Sequence, residues 1–198
     1  MESDALVLGF DTSAAHCAAA LLSGDTVLVS RAEEMGRGQA ERLMPLLEDL
    51  LAEAGAAWRD LDRLGVGIGP GNFTGIRISV AAARGLSMAL EIPAVGVSGF
   101  DVIAHAHVPG HVPALPAPRD QLYVRAPGCL PKLARRDEAE ALGLPLVGPP
   151  PAADMAEAIA RLAAAHAAAD IPPPAPLYLR PADAAPARDA PPVILDDA

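Results

Sequence analysis

The residues best suited to chemistry lie in one glycine- and proline-rich stretch, the glycine loop, which spans residues 69–77 and follows a short apolar run. Free N–H groups at the start of a helix form a natural binding site for phosphate or another anion. The alternative interpretation is a tight strand-to-helix turn that binds nothing. Geometry alone favours the second interpretation, although a purely structural turn does not need Phe73 or Arg77. The candidate residues are Gly69, Pro70, Gly71, Asn72, Phe73, Thr74, Gly75 and Arg77.

A second candidate site is the acidic turn formed by Asp11 and Thr12. It follows an apolar run over residues 6–10 that predicts a buried strand, and it precedes a predicted hairpin of strands over residues 17–22 and 27–31. A strand, an acidic turn and an antiparallel hairpin resemble the start of actin-like ATPase domains, in which the acidic residue handles magnesium. The alternative, which we favour, is a turn in which the Asp11 carboxylate binds its own backbone.

Two other groups of reactive side chains are weaker candidates. Ser13 and His16 could supply the nucleophile and base of a peptidase, but no Gly-x-Ser-x-Gly elbow surrounds the serine. His105 and His107 stand two residues apart, whereas a metal pair on a helix needs a spacing of three or four. His111 lies beyond a proline-glycine step that breaks the helix. These patterns argue against a metal site and leave a peptidase as the weakest enzyme hypothesis.

The composition limits the kinds of protein that the chain can be. Its 198 residues suit one large or two small domains, and 52% of them are apolar, which is ample for a core. A formal charge of −10 argues against a nucleic-acid site on this chain alone, since such sites need a basic patch. Cys17 and Cys129 are far apart and outside any Cys-x-x-Cys motif, so we predict no disulfide. With neither a signal peptide nor a membrane span in the sequence, we expect a cytoplasmic protein.

The glycine loop must be positioned by the elements on either side of it. We predict a strand over residues 63–68 and a helix over residues 74–90, with Thr74 as the N-cap of that helix. An amphipathic helix is predicted over residues 39–54, because its leucines recur at helical spacing, and Pro45 should kink it or mark a late start. Further predicted elements are a strand over residues 94–97 and a short helix over residues 99–107.

The second half of the chain differs from the first in composition. It holds 18 of the 21 prolines, so we predict mostly irregular connection, with a loose tail from Pro181 onward. Within it we expect a strand over residues 121–125 and a helix over residues 154–169. The predicted organisation is an N-terminal domain over residues 1–107 and a reduced C-terminal domain over residues 108–198.

The two longer helices predicted in the first domain also offer a contact surface. Small residues leave one face of the 74–90 helix without bulk, whereas its other face has the pattern of an ordinary core. A small-residue face lets another backbone approach closely, so we predict that a partner protein docks there. In the absence of that partner we expect a homodimer. The predicted interface residues are Arg42, Met44, Pro45, Ala81, Ala82, Gly85 and Met88.

Four stretches of the sequence resemble a known family. The glycine loop is similar to the Gly-Pro-Gly-Ser-Phe-Thr-Gly-x-Arg signature of the bacterial TsaB proteins, also called YeaZ, with Asn72 where serine is usual. The resemblance is dense over residues 5–107 and sparse beyond them. The other three stretches resemble the family's opening strand with its Asp-Thr turn, the strand after its second helix and its closing motif. They are Leu-Val-Leu-Gly-Phe-Asp-Thr-Ser at residues 6–13, Val-Gly-Val-Ser at 95–98 and Pro-Leu-Tyr-Leu-Arg at 176–180.

The family resemblance implies a fold and a role. The fold is α/β, actin-like and ribonuclease-H-like, with a mixed sheet, helices and a reduced second domain. TsaB proteins act in the biosynthesis of threonylcarbamoyladenosine in tRNA as non-catalytic relatives of TsaD, the transferase. The metal-binding histidines of TsaD correspond to Gly99 and Ile103 here. The resemblance therefore implies a chain without metal or other cofactor that is not an enzyme on its own.

The partners that the resemblance implies are proteins. TsaB pairs with TsaD as a heterodimer and is needed for its activity, the ATPase TsaE joins the assembly, and TsaC makes the threonylcarbamoyl-adenylate donor. Contact with tRNA would be made only through the complex. Two alternatives stay open, namely an actin-like ATP-dependent enzyme or kinase, supported by Asp11 and the glycine loop, and, with less support, a peptidase.

Overall fold

The chain folds around a five-stranded mixed sheet. The structure is a computed structural model that describes residues 4–107, 109–167 and 171–179, so Arg180 of the closing motif and the predicted tail from Pro181 lie outside the described residues. The strands are β1 (Leu6–Asp11), β2 (His16–Ser23), β3 (Thr26–Glu34), β4 (Arg63–Gly67) and β5 (Ala94–Val97). They lie in the order β3-β2-β1-β4-β5, in which β1, β4 and β5 run parallel and β2 runs antiparallel to both neighbours. The predicted strands of the first domain are thereby confirmed.

Two helices cover one face of this sheet. They are α1 (Gln39–Glu53) and α2 (Phe73–Leu90), which contact each other. Pro45 stands inside α1, which begins at Gln39, so the late start considered for this helix is wrong. The core below the helices combines apolar side chains of both helices with those of β1, β2 and β4. Its fully buried leucines include Leu43, Leu46, Leu47 and Leu50 of α1 and Leu8, Leu21 and Leu64 of the strands.

A second, four-stranded sheet forms where the sequence predicted mostly irregular connection. Its strands are β6 (Val112–Ala117), β7 (Gln121–Val124), β8 (Lys132–Arg135) and β9 (Leu146–Val147), in the order β8-β7-β6-β9. Of these, β7 is the strand that the sequence predicted. The prediction failed for β6 because Pro113 and Pro116 lie within it, and a proline has no N–H to donate to a ladder.

Two short helices accompany the second sheet. The first is α3 (Gly99–Ala106), which confirms the helix predicted there and contacts β6, and the second is α4 (Arg136–Glu140), which contacts β7 and β8. Within the part of the chain that the structure describes, no helix is long and apolar enough to cross a membrane.

The opposite face of the first sheet is covered by a helix from the second half of the chain, α5 (Ala152–Ala164). Gly9 of β1 and Gly65 of β4 are direct partners in the sheet, and α5 packs on both of them. A Cβ at Gly9 would lie 2.6 Å from the Ala156 carbonyl oxygen, so the glycines allow the helix to approach the sheet closely. The domain division at residue 107 stays a prediction, but α5 gives both halves of the chain a common core.

α5 ends at Ala164 and not at residue 169, so the predicted end of this helix is wrong. The Arg63 guanidinium lies at the end of the helix and donates hydrogen bonds from Nη1 to the carbonyl oxygens of Ala163, Ala164 and His166, at 2.8, 3.2 and 2.7 Å. A cation at this end also interacts favourably with the helix dipole. The local sequence could not reveal this stop, because Arg63 lies 100 residues from Ala163.

Both cysteines are free thiols, as predicted, but their surroundings differ. Cys17 is fully buried in the core below α1. Burial, and next the charge of Glu33, raises the pKa of the Cys17 thiol to about 11. The thiol is therefore protonated and unreactive at neutral pH, whereas Cys129 is exposed.

Gly9→Ala should destabilise the fold, because the added methyl group meets the backbone of α5, which cannot move aside like a flexible side chain. Overpacking of this kind costs about 1–3 kcal/mol, and each kcal/mol lowers the melting temperature of a chain of this size by about 2–4 °C. Gly36→Ala is the matched control, since a Cβ at Gly36 meets nothing within 4 Å. A Gly9→Ala variant that melts like the parent in scanning calorimetry would contradict the close packing of α5.

Candidate functional site

The carboxyl ends of β1, β4 and β5 meet at one edge of the sheet, which is where open α/β folds bind ligands. At this edge Asp11, Thr12 and Ser13, the aspartate turn, lie directly against the glycine loop. Three glycines spaced four residues apart face the turn, and a side chain on any of them would collide with it. They must therefore be glycine for the two backbones to come this close. The collisions would be Gly67 with the Asp11 carboxylate, Gly71 with the Ser13 carbonyl oxygen and Gly75 with the Thr12 carbonyl oxygen.

Hydrogen bonds also join the aspartate turn to the glycine loop. The Asn72 N–H donates to the Ser13 carbonyl oxygen at 2.7 Å, and the Thr12 hydroxyl donates to the Gly75 carbonyl oxygen at 2.7 Å. These contacts explain why glycine stands at these positions without invoking a bound ligand. A phosphate site on the loop stays a prediction, and an anion there would have to compete with the turn for the Asn72 N–H.

The N-cap of α2 is Asn72, so the prediction of Thr74 is wrong. The Asn72 backbone is extended, and its side-chain oxygen accepts a hydrogen bond from the Gly75 N–H at 2.9 Å. Thr74 cannot cap the helix because the helical conformation already begins at Phe73. Serine and asparagine are comparably good N-caps, so Asn72 preserves the cap that serine would supply.

The Asp11 carboxylate is fully buried, and one of its oxygens accepts three hydrogen bonds. The donors to Oδ2 are the Ser13 N–H at 3.1 Å, the Ser13 hydroxyl at 3.0 Å and His16 Nε2 at 2.7 Å. The bond from the Ser13 N–H is the one that the turn interpretation of Asp11 predicts. The other oxygen, Oδ1, has no hydrogen-bond partner among the described residues and lies against Gly67. No part of this carboxylate is exposed to solvent.

The serine and histidine considered for a peptidase do not form a nucleophile–base pair. Both side chains donate to the same Asp11 oxygen, whereas in a catalytic triad the histidine stands between the serine and the acid. Ser13 is also buried, with 3% of its surface exposed, which keeps its hydroxyl from a peptide substrate. Ser13 and His16 are thus part of the polar network that holds the aspartate turn.

An aromatic stack gives Phe73 and Arg77 contacts that the sequence did not predict. The Phe73 and Tyr178 ring centres lie 4.7 Å apart with an angle of 27° between the ring planes, and the Arg77 guanidinium carbon lies 5.4 Å from the Phe73 ring centre. Tyr178 belongs to the closing motif, in which the Leu177 N–H donates to the Ile68 carbonyl oxygen at 2.8 Å. Two motifs that are separated by about half of the chain thus meet in space, and sequence spacing offers no signal for this contact.

The predicted interface residues lie on α1 and α2 and differ in exposure. Met88 is the most open of them, with 82% of its surface exposed. Their role in binding stays a prediction. The exposed residues are Pro45, Ala81, Gly85 and Met88, and the half-buried ones are Arg42, Met44 and Ala82.

Arg42 already has partners within the chain. Its guanidinium donates to Glu33 at 2.7 Å and to Asp49 at 2.9 Å. The hydrogen bond from Arg42 to Glu33 holds the pKa of the Glu33 carboxylate below its usual value. All three side chains are partly open to solvent, so these ion pairs add little to stability. A partner that binds Arg42 would have to compete with these carboxylates.

Gly99 and Ile103, which the family resemblance aligns with the metal-binding histidines of TsaD, both lie in the core. Ile103 is fully buried, and a Cβ at Gly99 would collide with the end of the Leu115 side chain, so both positions belong to the packed core. The His107 and His111 rings lie edge to face, 5.4 Å apart. Among the residues that the structure describes, no three His, Cys, Asp or Glu side chains are grouped closely enough to hold a metal ion.

A cavity of about 360 Å³ lies between the aspartate turn, the glycine loop and the second sheet. Most of its wall is apolar and includes several prolines. The lining residues that carry polar side chains are Ser13, His16, Asn72 and Tyr123, and no described lysine or arginine lines the cavity. The triphosphate of a nucleotide would therefore meet no strong cation in this cavity.

The chain matches the family model described as TsaD: tRNA N6-adenosine threonylcarbamoyltransferase over residues 31–147, more than half of its length. It is 37% identical over 98 residues to the tRNA threonylcarbamoyladenosine biosynthesis protein TsaB of Escherichia coli K12, which covers 50% of this chain and 42% of that protein. The protein of the same name from Bacillus subtilis 168 is 35% identical over 120 residues, or 59% of this chain and 52% of that protein. The chain thus spans about half the length of the curated relatives it matches.

Two solved structures that are similar to this chain are YeaZ or a YeaZ-like protein. YeaZ from Pseudomonas aeruginosa has a TM-score of 0.54 at 33% identity and covers 66% of this chain and 64% of its own. A structure described as an uncharacterized protein with similarity to peptidase YeaZ from P. aeruginosa has a TM-score of 0.67 at 26% identity and covers 89% of this chain and 100% of its own. The chain has a mixed α/β fold that it shares with these YeaZ structures. The chain belongs to the family of the TsaD model and, within it, to the TsaB (YeaZ) proteins.

Gly75→Ala and Gly85→Ala add the same methyl group to α2 with opposite expected effects. At Gly75 the methyl collides with the Thr12 carbonyl oxygen, and overpacking costs about 1–3 kcal/mol. At Gly85 it meets nothing within 4 Å, and alanine in an exposed helix interior is favoured over glycine by about 0.5–1 kcal/mol. Urea unfolding should therefore move in opposite directions for the two variants. Equal stabilisation by both would show that the aspartate turn does not touch α2.

The isolated protein should bind Mg-ATP weakly, with a Kd above about 1 mM, because Asp11 is buried and no described cation lines the cavity. Isothermal titration of the protein with Mg-ATP would measure this. Binding in the micromolar range would instead favour the ATP-dependent enzyme over a binding subunit.

Proposed function

We propose that this chain is the non-catalytic subunit of a tRNA N6-adenosine threonylcarbamoyltransferase complex. It pairs with a TsaD-type transferase and activates it for the formation of threonylcarbamoyladenosine next to the anticodon. Its named relatives are tRNA threonylcarbamoyladenosine biosynthesis proteins. The observation that carries the proposal is the packed core around Gly99 and Ile103, the two positions that the family resemblance aligns with the metal-binding histidines of TsaD.

The packing around those two positions supports a subunit that does not catalyse the transfer itself. Ile103 belongs to an apolar cluster with Phe100, Leu115 and Tyr123, and Gly99 touches the same Leu115. These positions thus contribute to an apolar core, and in this proposal the metal chemistry comes from the transferase partner. A chain that keeps the fold without the site can still contribute by holding a catalytic partner in its active conformation.

The outer face of α2 supports a protein as the partner. Ala81 and Gly85 are exposed and small, and Met88 next to them is a large apolar side chain that is open to solvent. Such a face allows a second helix to approach closely and to bury Met88. The same face would pair two copies of this chain when the transferase is absent.

The rest of the assembly follows from the same proposal. The ATPase TsaE joins the pair, tRNA is bound only through the complex, and the complex acts in the cytoplasm. The net charge of −10 supports a chain that does not bind tRNA by itself. The two enzymatic alternatives gain no support from the described contacts, since Asp11 is buried and its Oδ2 binds both Ser13 and His16.

Ala81→Trp should weaken pairing with a TsaD-type transferase, because an indole on the small-residue face prevents close approach of the partner helix. Loss of a central interface contact costs at least about tenfold in affinity. The measurement is a pull-down with the tagged transferase beside a thermal melt, and the melt should match that of the parent because Ala81 is exposed.

Ala141→Trp is the control for this experiment. Ala141 is also exposed, but it lies at the end of α4 in the second half of the chain, so its tryptophan variant should pair like the parent. An Ala81→Trp variant that melts like the parent and still pairs normally would place the docking surface elsewhere.

A further inference from the structure

The closing segment, residues 171–179, ends beside the start of α2. Its backbone is held by the hydrogen bond from the Leu177 N–H to the Ile68 carbonyl oxygen at 2.8 Å. The Leu177 and Leu179 side chains pack against the apolar cluster of α3 and the second sheet. The segment is therefore anchored on both sides of Tyr178, whatever the tyrosine itself contacts.

Tyr178 and Phe73 form a stack that the fold leaves open to solvent. The ring centres are 4.7 Å apart, yet 43% of the Tyr178 surface and 38% of the Phe73 surface remain exposed. Large aromatic side chains that are held in place but not covered are enriched at protein interfaces. The exposed surface of this pair is therefore available to a partner.

Arg77 adds a positive charge to the same place. Its guanidinium lies over the Phe73 ring, and no ion pair with another described residue engages it. Arg84, two turns further along α2, is also exposed and makes no ion pair with a residue that the structure describes, and α2 contains no acidic residue. On a chain with a net charge of −10, this helix face is complementary to a surface that carries carboxylates.

We propose that Tyr178, Phe73 and Arg77 form one end of the surface that receives the TsaD-type transferase, and that the transferase presents a carboxylate to Arg77. Tyr178 acts as a positioning residue, because its ring fixes Phe73, over which the Arg77 guanidinium lies. The stack is continuous with the predicted docking face, since Arg77 lies one turn before Ala81 on the same exposed side of α2. This inference rests on the proposed function and defines its contact more closely.

A protein surface fits these groups better than RNA does. Aromatic rings and guanidinium groups also bind nucleobases, but a nucleic-acid site needs a concentration of cations to hold the phosphates. Here two arginines stand on one helix of an acidic chain. The neighbouring Ala81 and Gly85 favour the close approach of a helix and offer nothing that recognises a base.

The test measures the affinity of the full chain for a TsaD-type transferase from an organism that carries it. Tyr178→Ala should weaken binding about tenfold, whereas Tyr178→Phe, which keeps the stack, should bind within about twofold of the parent. Leu130→Ala is the matched control, because Leu130 is a large side chain with 88% of its surface exposed that lies between β7 and β8 and not on either helix of the predicted docking face.

A double-mutant cycle separates a positioning role from a merely structural one. If Tyr178 acts through Phe73, the variant with alanine at both positions should bind no more weakly than Phe73→Ala alone. Arg77→Gln should weaken binding and reduce its dependence on salt, because it removes the charge that the partner carboxylate meets. Independent, additive losses at Tyr178 and Phe73 would contradict the positioning role.

The outcomes distinguish this inference from the proposed function. Absence of binding by the parent chain would overturn both, whereas tight binding by the parent and equally tight binding by Tyr178→Ala would overturn this inference alone. Normal pairing combined with loss of tRNA binding by the variant would assign the stack to RNA and overturn it as well. Tyr178→Ala should melt like the parent, because Leu177 and Leu179 keep the segment anchored. If it melts lower, the exposed Arg77→Gln variant decides the question.

Discussion

The aspartate turn and the glycine loop approach each other so closely that no side chain fits between them. A Cβ at Gly67, Gly71 or Gly75 would collide with the turn, and the Asn72 N–H donates directly to the backbone of the turn. This contact determines where β4 ends and where α2 begins. It also fixes the rotation of α2, and hence which of its side chains enter the core and which face the solvent. The buried Asp11 carboxylate holds the turn in place from the other side.

The same contact shapes what this site can do. In the folds that bind nucleotides at this edge, loop N–H groups are directed at a phosphate. Here the Asn72 N–H donates to the aspartate turn, and the Gly75 N–H donates to the Asn72 side chain. What remains open is the outer face of α2, with small residues at its centre and the stack of Tyr178, Phe73 and Arg77 at its start. A loop geometry suited to phosphate thus serves to present a rigid helix, and the proposed function uses that helix to hold a catalytic partner.

Local patterns in the sequence predicted the elements that local forces decide. The leucine stripe predicted α1, the apolar run predicted β1, and the 74–90 pattern predicted α2, and all three elements form. The failures lie where a distant contact decides the outcome. Arg63 stops α5 from the other half of the chain, the aspartate turn selects Asn72 over Thr74 as the cap, and pairing on both sides makes a strand of the proline-containing β6. The candidate residues of the loop were named from the sequence, whereas Tyr178, their neighbour in space, entered only as part of the closing motif and not as a candidate site residue.

The most direct test of the central claim is a reconstituted transfer reaction. A TsaD-type transferase from an organism that carries this chain is supplied with threonylcarbamoyl-adenylate and tRNA, and threonylcarbamoyladenosine is measured with and without the chain. We expect little product from the transferase alone, a large increase when the chain is added, and none from the chain alone after chelation and repurification. Equal product with and without the chain, or product from the chain by itself, would contradict it.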